Sequence, residues 1–270
     1  MSKGQKQTAT QNNQSEQKPW YIVPGQNEDV IISSRLRVCR NLSDFMFPHK
    51  LISEEKDRIK SLLIEAINFE NNKNLNFDFV DVAQLSDQGK MILMERNILS
   101  MEECQALFVS ETGNFFCRIN ETDHVKLAGY KSGLNFQPLF EELYFIDEKM
   151  QEKVQYAANF NFGYINSSIN NTGTGLKCSF WCYIPAIVFS KSLEEIEKIV
   201  LEKNCILKPA VQNKYKHDFP IALFEVSNVT CQKGTEFDQM AEILAIAALI
   251  LKTERKIREQ LADNSKTVIL

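Results

Sequence analysis

The chain has no long hydrophobic run and no apolar stretch at its beginning. Residues 1–18 are mostly glutamine, asparagine, lysine and serine, so they do not resemble a signal peptide. The most apolar segment, residues 241–251, is too short to span a bilayer and is followed by charged residues. The sequence therefore predicts a cytoplasmic protein that does not use a membrane as a partner.

Positive charge and histidine are also scarce. The 31 lysines and arginines are outnumbered by 35 acidic residues, and only three histidines occur. General binding to nucleic acid uses a basic surface, so we expect no nucleic-acid partner, and any anion site must be local. Cys178 and Cys182 have the spacing of zinc ligands, but no second Cys or His pair accompanies them. We predict no metal site, and seven scattered cysteines fit reduced thiols.

Apolar periodicity begins at residue 20, which predicts a disordered tail over residues 1–19. Nothing after it resembles a linker, so residues 20–270 are predicted to form a single domain. Residue patterns predict strands at 30–38, 106–110, 115–120, 124–128, 161–166, 177–184, 205–210 and 221–227. Helices are predicted at 53–69, 87–96, 136–153, 192–203 and 235–260.

Two details of the predicted helices depend on single features. Ser53 and Ser192 are expected to be N-caps, because a serine hydroxyl accepts a hydrogen bond from the first helical turn. The last helix has so many apolar residues between Met240 and Leu251 that we expect it to be buried on most sides. Strands arrive in adjacent groups without strict alternation with helices. This order favours an α+β fold with a central, largely antiparallel sheet flanked by helices.

One predicted strand carries an unusual pair of arginines. In residues 33–40 (SSRLRVCR), side chains alternate between faces, so Arg35 and Arg37 share one face while Leu36 and Val38 point into the core. Two guanidinium groups at this spacing repel each other unless an anion or carboxylates lie between them. A polyphosphate suits them, because arginine forks match phosphate oxygens. On this segment alone, a structural ion-pair network on an exposed face is an equal alternative.

Two further segments carry weaker signals. Residues 120–126 (NETDHVK) form a polar turn with Lys126 two residues into the outgoing strand. Residues 170–177 (NNTGTGLK) form a glycine-containing loop whose amides can approach an anion, with Lys177 supplying charge. The loop lacks the spacing of a Walker motif, and no helix follows it. Each segment taken alone fits an ordinary turn or loop.

Together the segments resemble ATP:guanidino phosphotransferases, the family of the phosphagen kinases and the bacterial protein-arginine kinases. The resemblance spans about residues 30–261 and includes a stretch typical of the bacterial branch at 93–97. The matching segments, in order, are 33–40, 47–48, 120–126, 163–164 and 173–177. The resemblance implies the catalytic domain only, without the small helical domain or the C-terminal domain that different branches add.

The resemblance implies the family's fold, a central antiparallel sheet flanked by helices, and its chemistry. Mg-ATP would be bound through a cage of cations, here Arg35, Arg37, Lys126 and Lys177, and its γ-phosphoryl group would pass to a guanidinium nitrogen. Such transfer depends mostly on positioning and charge neutralisation. In the family a carboxylate holds the guanidinium group and takes its proton.

Several positions differ from the family pattern, and they are the positions that hold the substrate or take part in the transfer reaction. Thr122 stands where the family has the substrate-holding glutamate, and Ser168 stands where it has a reactive cysteine. Lys126 and Lys177 replace arginines. The stretch 208–211 lacks the family's next arginine. The loop at 212–218 offers no clear second glutamate, although Asp218 partly stands in for it.

Two interpretations follow from these departures. In the first, the chain is a pseudokinase that keeps the phosphate cage and acts by binding ATP or ADP, or by contacting a protein such as an active relative. In the second, it is a working phosphotransferase in which Glu121, Asp123 or Asp218 supplies the carboxylate. Its acceptor would then be protein arginine or a small guanidino compound. The first is favoured, because losing a positioned acid–base group typically lowers a rate about 10²–10⁴-fold.

Overall fold

The computed structural model describes residues 19–68, 76–96, 98–100, 102, 104–210 and 222–268. Its strands are β1 (Ile31–Arg40), β2 (Phe77–Asp81), β3 (Ala106–Ser110), β4 (Phe115–Ile119), β5 (Val125–Ser132), β6 (Ala158–Asn159), β7 (Gly163–Tyr164), β8 (Leu176–Tyr183), β9 (Cys205–Pro209) and β10 (Leu223–Asn228). Its α-helices are α1 (Ser53–Ile67), α2 (Asp87–Glu95), α3 (Phe136–Gln151), α4 (Pro185–Phe189), α5 (Leu193–Glu202) and α6 (Glu236–Val268).

Eight of the strands form one sheet in the order β2-β3-β4-β5-β1-β8-β10-β9. Every neighbouring pair in it is antiparallel, which confirms the predicted α+β class with a largely antiparallel sheet. The arginine-bearing strand β1 lies inside the sheet, between β5 and β8. On each face of the sheet, the side chains of β1 are therefore flanked by side chains of β5 and β8.

The larger hydrophobic core lies on one face of the sheet, and a smaller apolar cluster on the other face contains Phe116 and Ala128, with Leu93 and Met94 of α2 packed against it. On the face of the larger core, α3 packs against β1 and β5, and α6 packs against β8 and β10. Leu36 and Val38 of β1 are fully buried with Leu139, Leu143 and Ile146 of α3. The predicted alternation along β1 is thus confirmed, and it directs Arg35 and Arg37 to the opposite face.

Three local predictions are corrected. The strand predicted at 161–166 is reduced to the two-residue β7, which pairs with β6 in a tight hairpin; the turn before it ends at Gly163, whose φ is +68°. Ser53 is the first helical residue, and the N-cap is Ile52, whose N–H donates to the Glu55 carboxylate at 3.3 Å. Ser192 occupies an N-cap position, but its hydroxyl makes no capping bond. The Glu55 carboxylate therefore accepts the N–H of the N-cap residue, which is a different donor from the first-turn N–H that a serine hydroxyl was expected to accept.

The final helix is buried on one side only, which corrects the expectation for it. Ile243, Ile246, Ala247 and Ile250 are fully buried, whereas the Leu244 side chain is 39% exposed. The helix also continues to Val268 instead of ending near residue 260. Neither β2 nor α4 was predicted from the sequence. The predicted tail up to residue 18 and the loop containing Asp218 lie outside the described residues.

Candidate functional site

Five cationic side chains follow one face of the sheet, across four neighbouring strands. Arg37 pairs with Lys177 of β8, and Lys126 of β5 pairs with Arg118 of β4. Directly opposed residues of an antiparallel pair present their side chains on the same face. Arg35 and Arg37 share that face because they lie two residues apart. The sheet face opposite α3 and α6, which we call the open face although α2 packs on part of it, thus carries a row of positive charge.

Four of these cations line one cavity of about 450 Å³, which we call the cationic cavity. Its lining comprises Arg35, Arg37, Met94, Leu99, Ser100, Glu102, Arg118, Glu121 and Lys126. Among the described residues, this lining has four cations and two carboxylates and includes nothing from β8. Lys177 therefore lies beside the cavity, on the far side of Arg37. The excess of positive charge in a partly enclosed space favours an anionic ligand.

Glu121 lies at the base of the cationic cavity between two cations. Its carboxylate is 3.1 Å from Arg118 Nη1 and 2.8 Å from Lys126 Nζ, and it accepts a hydrogen bond from Ser100. Burial alone would raise the pKa of Glu121, but Arg118 and Lys126 outweigh burial and hold the pKa below its ordinary value. The carboxylate is consequently ionised and already paired.

Lys126 also contacts the residue at the family's substrate-holding position. Its ammonium donates to the Thr122 hydroxyl at 2.9 Å. The Ser167 hydroxyl donates to the Thr122 carbonyl oxygen at 2.6 Å, which brings the exposed Ser168 near the same turn. The structure therefore places Thr122 and Ser168 in one region, with the Lys126 ammonium bonded to Thr122.

Asp123 has a different environment from Glu121. It is fully buried, and its Oδ1 accepts hydrogen bonds from Asn41 Nδ2 and from the Ser167 N–H, each at 2.8 Å. Its other oxygen is buried without a hydrogen-bond partner among the described residues. These bonds join the end of β1 to the 165–168 segment. Asp123 thus fixes the turn in place and does not line the cationic cavity.

The two arginines of β1 are positioned by side chains from other elements. Arg37 donates to Asn171 Oδ1 at 2.8 Å, which links it to the glycine-containing loop. The Arg35 guanidinium lies over the Tyr130 ring, 5.3 Å from its centroid. The Nε groups of Arg35, Arg37 and Arg118 are buried and have no hydrogen-bond partner in the described part of the chain. Buried donors without partners are costly, and phosphate oxygens would satisfy them.

The glycines of the loop pack against β1. A Cβ on Gly175, whose φ is +68°, would lie 2.4 Å from Arg40 Nη1. Arg40 is fully buried, is paired with Asp147 at 2.7 Å, and lies 3.7 Å from the Tyr164 ring centroid. The N–H groups of Gly173 and Thr174 donate to protein carbonyls. The loop therefore contributes to the site mainly through Asn171.

An aromatic cavity of about 730 Å³ lies next to Arg35. Both tryptophans of the chain, Trp20 and Trp181, line it together with Tyr130. The Trp20 ring stacks on Tyr130 at 5.3 Å with 9° between the planes. This cavity is not apparent from the sequence, because Trp20 precedes β1 and Trp181 lies on β8.

Sequence analysis also missed Arg118. Its signal was present, since a single charge within the apolar segment FFCRI of β4 is unusual for a buried strand. His124, the other titratable side chain of the turn, accepts from the Leu42 N–H at 3.0 Å. Burial lowers the pKa of His124 to about 4, so its imidazole is neutral and structural.

Mg²⁺ in nucleotide sites is usually bound through phosphates and one or two carboxylates. Of the two carboxylates that line the cationic cavity, Glu121 is already paired with Arg118 and Lys126, so Glu102 is the described carboxylate that would hold Mg²⁺ there. None of the described helices is long and apolar enough to cross a membrane.

Comparisons with known proteins are consistent with this geometry. The family profile described as ATP:guanido phosphotransferase, C-terminal catalytic domain, matches residues 58–257. The chain is 26% identical over 259 residues to a protein-arginine kinase of Bacillus cereus (strain AH820), covering 92% of this chain and 71% of that protein. The same values hold for a protein-arginine kinase of Bacillus anthracis (strain A0248).

Two solved structures share the fold. Lombricine kinase superimposes with a TM-score of 0.75 at 18% identity, covering 92% of this chain and 74% of that one. The duplicated taurocyamine kinase from Schistosoma mansoni, with bound transition state analog components, gives a TM-score of 0.74 at 17% identity. That match covers 88% of this chain and 34% of the duplicated protein, so the chain spans about a third of its length.

Proposed function

The chain belongs to the ATP:guanido phosphotransferase family, and we propose that it is a nucleotide-binding member with little transfer to guanidinium groups. One contact carries this proposal, the hydrogen bond from Lys126 Nζ to Thr122 Oγ at 2.9 Å. At the position where the family holds a guanidinium cation with a carboxylate, this chain presents a hydroxyl bonded to an ammonium. A cation next to an approaching guanidinium group repels it.

Two neighbouring cavities support nucleotide binding. The cationic cavity offers Arg35, Arg37 and Lys126 to phosphate oxygens, with buried Nε donors of both arginines unpartnered. The aromatic cavity is lined by Trp20, Trp181 and Tyr130, and Arg35 connects the two by lying over the Tyr130 ring. A ligand with a polyphosphate and a planar base, such as ATP or ADP, matches this pair of cavities.

The state of the described carboxylates near the turn supports slow phosphoryl transfer to a guanidinium acceptor. Glu121 is already paired with two cations, and Asp123 is fully buried. Neither is available to hold a guanidinium group and take its proton, a contribution worth about 10²–10⁴ in rate. The pseudokinase would then act through its nucleotide-bound form, with an active relative as the expected class of protein partner.

We further infer that residues 20–270 act as one domain in the cytoplasm. All seven cysteines are free thiols, and six of them are buried. This usage is typical of reducing compartments.

An active phosphotransferase is the second candidate, and one observation favours it. Glu121 lines the cationic cavity beside Lys126, and its lowered pKa keeps it ionised. If nucleotide binding displaces Lys126 toward the phosphates, Glu121 becomes an acceptor for a guanidinium group of protein arginine or of a small guanidino compound.

Two measurements separate the candidates. Isothermal titration with Mg-ATP and Mg-ADP should give saturable heat, and no heat at millimolar nucleotide would refute nucleotide binding. Incubation with γ-labelled ATP and free arginine, creatine or a denatured protein mixture should leave no acid-labile label. Label that is lost in a Glu121→Gln variant but kept in Asp123→Asn would instead establish the active enzyme.

A further inference from the structure

The cations of the open sheet face are distributed asymmetrically about β1. The cationic cavity lies on the β5 and β4 side, and Lys177 on β8 does not line it in the described structure. We propose that Arg118 is a phosphate-binding residue of this chain and takes the place that Lys177 would have in the cage. This inference rests on the proposed nucleotide binding and specifies which side of β1 the phosphates occupy.

The register of the sheet puts Arg118 within reach of the same ligand as the β1 arginines. Arg118 lies opposite Lys126, and Ala128, two residues further along β5, lies opposite Arg37. On this face of β5, Ala128 carries only a methyl group, and Lys126 is itself one of the cations of the cavity. All three cations line the cationic cavity.

Arg118 and the β1 arginines line the same cavity, where their like charges repel one another. Burial lowers the pKa of Arg118, and the positive charges of Arg35 and Arg37 lower it further, while Glu121 opposes both effects. Arg118 Nη1 is paired with Glu121 at 3.1 Å, but its Nε is buried and has no partner among the described residues. An anion between the three guanidinium groups would relieve their repulsion and accept this free N–H.

Lys177 experiences the same kind of repulsion, but in the described structure it does not line the cationic cavity. Its pKa is lowered by burial and then by Arg37 and Arg35, so it adds to the repulsion on the other side of β1. In the stretch where the family has a further arginine, this chain has Lys208, which lies in the edge strand β9 and has an exposed side chain. The positive charge that the family pattern predicts on the β8 side of β1 is therefore provided to the cavity by Arg118 of β4.

A purely structural role is the competing explanation, in which Arg118 only neutralises the buried Glu121. The two explanations differ when Glu121 is also neutralised. If Arg118 contacts phosphate, Arg118→Met weakens binding even in a Glu121→Gln background. If Arg118 only balances Glu121, its loss in that background has no effect on binding.

The test measures dissociation constants for Mg-ATP and for inorganic tripolyphosphate by calorimetry. The variants are Glu121→Gln, Arg118→Met/Glu121→Gln and Lys177→Met/Glu121→Gln, and thermal unfolding confirms that each is folded. Lys131→Met is the matched control, because Lys131 lies on β5 but is paired with Glu142 of α3. Loss of a charged contact corresponds to a change of about tenfold or more in Kd.

Relative to Glu121→Gln, we expect Arg118→Met/Glu121→Gln to raise the Kd of both ligands at least about tenfold. Lys177→Met/Glu121→Gln should raise these Kd values less than about threefold. Equal affinity of Arg118→Met/Glu121→Gln and Glu121→Gln would overturn the role of Arg118. A larger effect of Lys177 than of Arg118 would overturn the placement of the phosphates. If the unmodified chain binds neither ligand, the proposed function itself fails, which is a separate outcome.

Discussion

The buried ion pair between Arg40 and Asp147 yields the sharpest stability prediction. Arg40 is fully buried, and Asp147 Oδ2 accepts from its Nη2 at 2.7 Å and from its Nε at 3.1 Å. Replacing Asp147 with asparagine keeps the shape but leaves the arginine charge uncompensated. Breaking a buried pair in this way costs about 3–5 kcal/mol. At about 2–4 °C per kcal/mol for a chain of this size, Tm should fall by roughly 6–20 °C.

A matched control is available on the same helix. Glu142 of α3 pairs with Lys131 at 2.6 Å, but their side chains are 39% and 26% exposed. Exposed pairs contribute about 0–1 kcal/mol, so Glu142→Gln should lower Tm by no more than about 4 °C. Thermal unfolding followed by circular dichroism checks both variants. Equal shifts for Asp147→Asn and Glu142→Gln would refute the reasoning from burial.

Two further predictions concern the turn and the loop. His124 has a folded-state pKa of about 4, below its unfolded value, so the unfolded chain binds more protons between these values. Stability should fall as pH drops from about 6.5 to 4, by up to about 1.4 kcal/mol per pH unit, as urea titrations at stepped pH will show. Gly175→Ala should destabilise the chain by more than about 1 kcal/mol in the same titrations, because its Cβ would lie 2.4 Å from Arg40 Nη1 at a φ of +68°.

The slope of unfolding free energy against pH should be smaller in a His124→Gln variant. An unchanged slope would show that other groups produce the pH dependence. For the loop, Gly113→Ala is the comparison, because Gly113 has a similar φ of +67° but no atom near its Cβ. If both glycine variants lose the same stability, only backbone strain matters and the contact with Arg40 does not.

The architecture was accessible from sequence because the strands and helices have clear periodicity. Alternation along β1 was sufficient to assign Leu36 and Val38 to the core and the two arginines to the open face. The hairpin of β6 and β7 was not predictable, because the positive φ of Gly163 depends on its packing against Gly173. Local patterns therefore gave the elements, and long-range packing decided where they bend.

The site was less predictable, because its composition depends on register between strands. Arg118 joins the cationic cavity only because β4 places it opposite Lys126. Asp123 was a candidate carboxylate by its place in the turn, but bonds to Asn41 and to the Ser167 N–H, both distant in sequence, bury it. Sequence identifies residue types suited to phosphate, and pairing of strands decides which of them face one cavity.

The central claim is that the arginines of β1 bind the phosphates of a nucleotide. Its most direct test is Mg-ATP titration of the unmodified chain and of an Arg35→Met/Arg37→Met variant, followed by the fluorescence of Trp20 and Trp181, which line the adjacent cavity. We predict a saturable fluorescence change in the unmodified chain. In the variant the Kd should rise at least about 100-fold, as expected for losing two charged contacts. The same Kd in both proteins would contradict the claim.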